Sequence, residues 1–214
     1  MDKKEKFVIT INRELGSGGR TVGEKLAAKL GVAFYDKTLI KALEKQFHLT
    51  KEEIERLKGQ SHTWWAEFKR NLIPMQNVSG PQFYTVDMGK EPEMLTTEAM
   101  FEAETTILET IAREESCVIT GRSGFYVFRQ HPNHLSVLIQ APMENRIERL
   151  IGKGYTRQEA EKVIKLVDKQ RENYVSKYTK SSRYDTRNYD LVINMANINE
   201  DLAVKLILDY IGVK

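Results

Sequence analysis

The chain has 214 residues, of which 41% are hydrophobic and 29% charged, and its net charge is +3. This composition fits a compact globular domain and excludes a disordered chain, and the charge is too small to indicate a nucleic-acid-binding protein. The lone cysteine, Cys117, excludes an intrachain disulfide and has the setting of a buried strand residue. The sequence shows no apolar signal region and no membrane span, so we expect a cytoplasmic protein. We expect its ligands to be small-molecule nucleotides, with no nucleic-acid or membrane partner. A homo-oligomer is left open.

Five short apolar runs have the composition of buried parallel strands. They cover Phe7–Asn12, Val32–Asp36, Cys117–Gly121, Ser136–Gln140 and Asp190–Asn194. Segments with apolar residues at helical spacing separate them, over Thr21–Leu30, Thr97–Glu115 and Asn199–Ile211, and Gly31 is a typical helix stop. This alternation predicts an α/β fold with a doubly wound five-stranded parallel sheet, in which ligands bind at the carboxyl ends of the strands.

A glycine-rich turn follows the first strand, in the sequence Glu14-Leu15-Gly16-Ser17-Gly18-Gly19-Arg20-Thr21. Glycines let backbone N–H groups point inward, and the next helix brings the positive end of its dipole to the same place. The turn therefore predicts a site for the phosphates of a nucleotide. The alternative is a strand-to-helix turn that binds nothing, or only a stray anion.

No lysine stands in this turn, although the usual phosphate-binding loop, G-x-x-x-x-G-K-[ST], has one. If Gly19-Arg20-Thr21 is aligned with Gly-Lys-Thr, Arg20 replaces the lysine. If Gly16-Ser17-Gly18 is aligned with the Gly-Ser-Gly that precedes the lysine in some of these loops, Gly19 takes its position. We favour Arg20 as the source of charge, because a guanidinium binds phosphate in a bidentate way and stays protonated at any working pH.

Residues 37–92 interrupt the alternation of strands and helices. Lys37–Phe47 and Lys51–Lys58 have helical patterns, and a stretch with Trp64, Trp65, prolines and glycines follows. We predict an insertion over one edge of the sheet. Its two tryptophans either pack it onto the core or line a base or a partner surface.

A long, highly charged helix is predicted over Thr156–Tyr178, entered through Gly152 and Gly154. Thr156 is a typical N-cap, and Glu159 is its capping-box partner. The charge density of this helix predicts a solvated or mobile arm.

Two charged residues stand at predicted strand ends. Asp36 ends the second strand and could hold a substrate hydroxyl or a metal-bound water, or cap the next helix. Arg122 follows the third strand and faces the predicted ligand crevice, with a salt bridge in a surface turn as the alternative. The histidines lack metal-ligand spacing, and we place all of them in loops or at the surface. They are His48, His62, His131 and His134.

Further arginines follow the fourth strand and lie on the charged helix. Arg146 and Arg149 belong to the first of these segments, and Asp168 and Arg171 share one face of the second at the spacing D-x-x-R. Phosphoryl transfer depends mainly on positioning and on electrostatic stabilisation of the transferred group, for which arginines at these places are suited. The alternative is that they are exposed charges on solvated helices.

Five motifs follow one another along the chain: Ile9–Arg20, Phe34–Lys37, Val118–Arg122, Asp168–Tyr174 and Asn188–Asn194. Their residues and their order resemble those of the cytidylate kinase-like family of nucleoside monophosphate kinases. The resemblance covers nearly the whole chain and implies a P-loop kinase fold that transfers the γ-phosphoryl group of ATP to CMP or dCMP with Mg²⁺. It implies a single domain over residues 1–214, with a core (residues 1–36, 93–150 and 186–214), a monophosphate-binding insertion (residues 37–92) and a helical lid arm (residues 151–185).

The resemblance, together with the residue patterns described above, gives a set of expected site residues. Those that would bind the ATP phosphates are Gly16, Ser17, Gly18, Gly19, Arg20 and Thr21, with Thr21 also a candidate Mg²⁺ ligand. Those that would bind the acceptor are Asp36, Arg122 and Asp168. The catalytic residues would be Arg20, Arg149 and Arg171.

The motifs depart from those of authentic cytidylate kinases at three places. The loop has no lysine, Ser123 replaces an acidic residue, and Lys41-Ala42 replaces a Tyr-Arg pair. These departures indicate a divergent branch and leave the acceptor open. Two rival hypotheses are a non-catalytic nucleotide-binding or regulatory protein and a small-molecule kinase whose acceptor is not a nucleotide.

Overall fold

A computed structural model of the protein describes residues 1–2, 4–36 and 98–213. The chain divides into two compact units, Met1–Lys37 with Ile111–Lys214, and Thr38–Thr110. The helices predicted over Lys37–Phe47 and Lys51–Lys58, and the tryptophan pair, lie outside the described residues. The predicted division into core, insertion and lid arm stays a prediction.

The first unit contains a five-stranded sheet in which every neighbouring pair is parallel. Its strands are β1 (Val8–Arg13), β2 (Ala33–Tyr35), β3 (Cys117–Thr120), β4 (His134–Gln140) and β5 (Leu191–Asn194). Their order across the sheet is β2-β3-β1-β4-β5. The predicted parallel α/β sheet is confirmed, and no strand end differs from its predicted position by more than two residues.

Helices connect the strands, and we number those of the described residues in chain order. They are α1 (Gly19–Leu30), α2 (Glu98–Glu114), α3 (Gly124–Val127), α4 (Met143–Ile151), α5 (Arg157–Thr179) and α6 (Glu200–Tyr210), with a short 3-10 helix at Thr186–Asn188. None of these helices combines the length and the apolar character that crossing a membrane would need. Two predicted helix ends are confirmed: Gly31 ends α1 in the left-handed conformation, and Thr156 and Glu159 form a capping box at α5.

One hydrophobic core cluster of this unit lies between the sheet and the pair α1 and α6. Ile9 and Ile11 of β1 are fully buried there, together with Leu26 of α1 and Ile207 of α6. Each such side chain contributes about 1.5–3 kcal/mol by its removal from water. Cys117 is also fully buried, as predicted, and burial raises the pKa of its thiol.

The order of the strands places a crevice at the carboxyl end of β1. From β1 the chain continues to β2, at one edge of the sheet. From β3, the neighbour of β1, it continues in the opposite direction across the sheet to β4. In open α/β sheets such a switch in direction marks the ligand crevice. The glycine-rich turn of residues 14–18 starts at this point.

Helix α5 is not solvated on all sides, although its charge predicted a solvated or mobile arm. Ala160, Val163 and Ile164 are buried and pack with Ile147 and Leu150 of α4. Leu15 of the glycine-rich turn is partly buried against the same cluster. The helix is therefore anchored along one apolar face, whose few residues are hard to recognise in the sequence among the many charged ones.

The surface or loop position predicted for His134 is wrong. The residue begins β4, and its Nε2 lies 2.7 Å from Thr10 Oγ1 of the neighbouring β1. Burial is the main reason why the pKa of His134 is lowered from 6.5 to about 4.

We expect this histidine to make stability fall as pH is lowered from 6.5 to 4. The folded state prefers the neutral ring, so in this window the unfolded state binds more protons, and up to about 3 kcal/mol of stability is lost. His134→Gln keeps polar atoms for Thr10 but does not titrate. Urea unfolding at several pH values should show a shallower slope for this variant, and equal slopes would contradict the assignment.

Candidate active site

The glycine-rich turn leaves β1 and enters α1 with its backbone held at several points. The Glu14 N–H donates to the carbonyl of Ile139 on β4 (3.1 Å), and the buried Ser17 hydroxyl donates to the carbonyl of Glu14 (2.9 Å). Helix α1 begins at Gly19, and Gly18, with φ of 85°, is its N-cap without a capping side chain. Because the first N–H groups of a helix lie outside its own hydrogen-bond pattern, this N-terminus suits an anionic ligand.

Asp168 of α5 is a buried carboxylate that holds this turn. Its Oδ1 accepts a hydrogen bond from the Leu15 N–H (3.0 Å), and its Oδ2 accepts one from Arg146 Nη2 of α4. Arg146 also donates from Nε to the Leu15 carbonyl (2.7 Å) and pairs with Glu14 (3.4 Å). The acceptor-binding role of Asp168 stays a prediction, but the structure shows a direct structural role in the turn.

Two more arginines meet Asp168 and the end of β1. Arg171 Nη1 lies 3.7 Å from Asp168 Oδ1 and donates to the carbonyl of Arg13 (3.0 Å). Arg183, which is fully buried, lies 3.8 Å from the same carboxylate oxygen and donates from Nη2 to the Arg13 carbonyl. Sequence reasoning missed Arg183, because the segment Ser181-Ser182-Arg183-Tyr184 has the composition of an exposed loop.

The side chain of Arg149, a residue of α4, reaches the start of α1. Its Nη1 pairs with Glu200 Oε1 of α6 at 2.5 Å, and a Cβ atom placed on Gly18 would be 3.1 Å from its Nη2. The pKa of the Glu200 carboxyl is lowered overall. Burial alone would raise it, but the hydrogen bonds from its own backbone N–H and from Arg149 have the larger combined effect. Burial also lowers the pKa of Lys153, as do the positive charges of Arg149 and Arg20, so this lysine belongs to the same cationic region.

Arg20 pairs with two carboxylates, one of which follows β2. Its Nε donates to Asp36 Oδ2 (2.9 Å), and its Nη1 pairs with Glu24 Oε1 (2.8 Å). The guanidinium also lies 5.9 Å from the centre of the Phe34 ring. The phosphate-binding and catalytic roles of Arg20 stay predictions, and the structure brings Arg20 together with Asp36, a predicted acceptor ligand.

Arg122 follows β3 in an unusual backbone conformation. Arg122 and Ser123 have φ of 55° and 53°, in the left-handed region. This conformation costs a non-glycine residue about 1–3 kcal/mol and is concentrated at functional sites. The guanidinium of Arg122 lies 5.4 Å from the centre of the Tyr174 ring of α5, so the segment after β3 and the charged helix face each other at the carboxyl end of the sheet.

Arg13, the last residue of β1, extends across the start of α1, which no sequence motif indicated. A Cβ atom placed on Gly19 would be 2.5 Å from Arg13 Cβ and 3.1 Å from Cγ, so the arginine stem fills the space that a side chain there would need. A Cβ atom on Gly121 would overlap Nη1 of Arg13. The side chain therefore reaches from the glycine-rich turn to the carboxyl end of β3.

The predicted site residues thus lie on the glycine-rich turn, directly after β2 and β3, and on helices α1, α4 and α5. A few pairs of them are in contact. Arg149 meets Gly18, Asp168 and Arg171 support the turn and β1, and Arg20 meets Asp36. Thr21 lies in the first turn of α1 and is exposed. Within residues 1–2, 4–36 and 98–213, no three acidic, cysteine or histidine side chains form a group that could hold a metal ion.

Comparison with known proteins gives a consistent result. A family model described as the cytidylate kinase-like family matches residues 8–197. An uncharacterized protein from Eubacterium ventriosum has a TM-score of 0.69 at 23% identity, over 98% of this chain and 100% of that chain.

Two solved kinases share the fold at lower identity. A sugar kinase from Janibacter has a TM-score of 0.53 at 13% identity, over 98% and 96% of the two chains. Shikimate kinase from Bacteroides thetaiotaomicron has a TM-score of 0.50 at 16% identity, over 97% and 99%. The search of curated protein sequences found no match. These likenesses confirm the predicted P-loop kinase fold.

Proposed function

The chain belongs to the cytidylate kinase-like family, and from this premise we propose that it transfers the γ-phosphoryl group of ATP to a nucleoside monophosphate of the CMP or dCMP kind. The observation that carries the proposal is the glycine-rich turn at the switch point of the sheet, with the Arg149 guanidinium against its last glycine. A phosphoryl group bound at the N-terminus of α1 would have its negative charge next to the Arg149 guanidinium.

Each group of residues has a role in this proposal. The backbone of residues 16–21 binds the triphosphate, and Arg149, held by Glu200, neutralises the charge that spreads over the transferred phosphoryl group. Arg122 binds the phosphate of the acceptor, and the Arg20–Asp36 pair lies on the same side, toward β2. Arg171 and Asp168 hold the geometry of the turn and of β1. No general base is needed, because the nucleophile is an ionised phosphate oxygen.

The described residues fit a Mg²⁺ ion that is carried mainly by the nucleotide. Magnesium in kinases keeps several water molecules and binds phosphate oxygens, so it requires few protein ligands. The Thr21 hydroxyl, exposed in the first turn of α1, would be its protein ligand. The ion would supply neutralisation of phosphate charge, while the arginines orient the phosphoryl group.

A turnover assay with ATP and a panel of nucleoside monophosphates tests the proposal. We expect ADP formation that depends on CMP or dCMP and requires Mg²⁺. ATP binding without turnover by any acceptor would favour the non-catalytic hypothesis. Turnover with a sugar or a shikimate-like alcohol, but with no nucleotide, would favour the small-molecule kinase.

Arg122→Lys should raise the KM of the acceptor on the order of tenfold, with a much smaller change in the KM of ATP. A lysine supplies a point charge and cannot reproduce the two parallel hydrogen bonds of a guanidinium to phosphate. The matched control is Arg129→Lys, since Arg129 follows the same strand but is exposed and stacks on Tyr126. An unchanged acceptor KM for Arg122→Lys would leave this residue with a structural role only.

A further inference from the structure

The start of α1 fixes how the glycine-rich turn aligns with the usual phosphate-binding loop. Because α1 begins at Gly19 with Gly18 as its N-cap, we align Gly18-Gly19 with the Gly-Lys of G-x-x-x-x-G-K-[ST]. Arg20 then stands at the Ser or Thr position, and Thr21 follows it by one residue, still in the first turn of α1. The first glycine of that pattern lies five residues before the second, and here it is Arg13. The chain thus has a cation where the pattern has a glycine, and a glycine where the pattern has its cation.

The two exchanged positions are neighbours in space, which gives the exchange a physical reason. A Cβ atom at position 19 would be only 2.5 Å from Arg13 Cβ, a distance that side chains do not tolerate. These atoms stand at the bases of both side chains, so rotation cannot relieve the overlap. One of the two positions must therefore be glycine, and the other can carry a side chain over the loop.

The backbone around Arg13 is fixed on both sides. Its N–H donates to Asn12 Oδ1 (2.9 Å), and its carbonyl accepts hydrogen bonds from Arg171 and Arg183. The side chain leaves this anchored position, covers Gly19 and ends at Gly121. Its stem thus lies beside the glycine-rich turn, and its guanidinium lies beside Gly121, the residue before Arg122.

We propose that Arg13 is the phosphate-contacting cation of this loop, in place of the absent lysine. Its guanidinium contacts the terminal phosphates of a bound nucleoside triphosphate from the side that faces the acceptor. This inference rests on the proposed function, because it requires triphosphate in the turn. It takes the role that the sequence assigned to Arg20, because Arg13 and not Arg20 lies against the position of the missing lysine.

Calorimetric titration with a non-hydrolysable ATP analogue and Mg²⁺ tests the role of Arg13. Arg13→Gln should weaken binding about 10- to 100-fold, the equivalent of one charge-assisted hydrogen bond. Arg187→Gln is the matched control, because it removes the same charge from a side chain that is 87% exposed and paired with Asp185. It should bind the analogue as the wild type does. Thermal unfolding of each variant confirms that the protein tested is folded.

A designed exchange tests the spatial argument. Gly19→Lys alone should be destabilised by its collision with Arg13 and should not bind the analogue more tightly. Arg13→Gly combined with Gly19→Lys restores the first glycine and the lysine of the usual pattern, with Arg20 still at its Ser or Thr position, and should be more stable than Gly19→Lys alone. It should also recover most of the affinity that Arg13→Gln loses, a non-additive result expected only of side chains that share one space.

The outcomes separate this inference from the function on which it rests. A wild-type protein that does not bind the analogue would overturn both. If the wild type binds and the folded Arg13→Gln variant binds equally well, Arg13 is not the cation, whereas the proposed function stands. Should Arg13→Gln fail to fold, the exchange variant decides: recovery of binding supports the inference, and folded protein without recovery overturns it.

Discussion

Asp168→Asn should destabilise the protein by about 3–5 kcal/mol, the usual cost of removing one partner of a buried ion pair. The variant has the shape of the native side chain but no charge, and it leaves Arg146, Arg171 and Arg183 around a neutral group. Arg183 is fully buried, so water cannot compensate its charge. Urea unfolding at pH 7 measures the loss.

The matched control for this variant is Asp209→Asn on α6. Asp209 pairs with Lys205 four residues before it, and its side chain is 53% exposed, so the pair contributes less than about 1 kcal/mol. If Asp168→Asn costs no more than this control and instead raises the KM of the acceptor, Asp168 is an acceptor ligand. A large loss of stability in the absence of ligand supports its role in holding the Leu15 N–H.

The sheet could be predicted from the sequence because parallel strands are short apolar runs and the helices between them keep a regular apolar face. The order of the elements, the stop at Gly31 and the capping box at Thr156 all follow from local chemistry. The glycine-rich turn was also visible, since closely spaced glycines between a strand and a helix are typical of loops that bind phosphate through their backbone N–H groups.

The connections among the site residues could not be predicted, because they depend on side chains far apart in the chain. The sequence placed Asp168 on one helical face with Arg171 and assigned it to the acceptor, but it gave no sign of the Leu15 N–H, 153 residues away, that Asp168 holds. Arg13 belongs to a strand, and a strand ending gives no sign of where its last side chain extends. Only the short distance between Arg13 and the place of a side chain at residue 19 links Arg13 to the position of the missing lysine.

Arg149→Lys should lower kcat on the order of 10³-fold, the lower end of the range for arginines that stabilise the charge of a transferred phosphoryl group. The Arg149 guanidinium is held beside Gly18 by Glu200, so its geometry is set before the substrate binds. Lysine keeps the charge but loses the planar fork that contacts phosphoryl oxygen and Glu200 together. Because this interaction belongs to the transition state, kcat and kcat/KM should fall by similar factors.

The control for Arg149 is Arg157→Lys in the same part of the chain. Arg157 pairs with Glu144, and both side chains are more than half exposed, at 61% and 54%, so we expect wild-type kinetics. Glu200→Gln separates positioning from charge: it leaves Arg149 intact but loosens its orientation, and kcat should fall less than in Arg149→Lys. Steady-state kinetics with ATP and the active acceptor measure all three variants. An Arg149→Lys enzyme that keeps its kcat but has a higher KM for ATP would show that Arg149 binds the ground state of the nucleotide and does not stabilise the transition state.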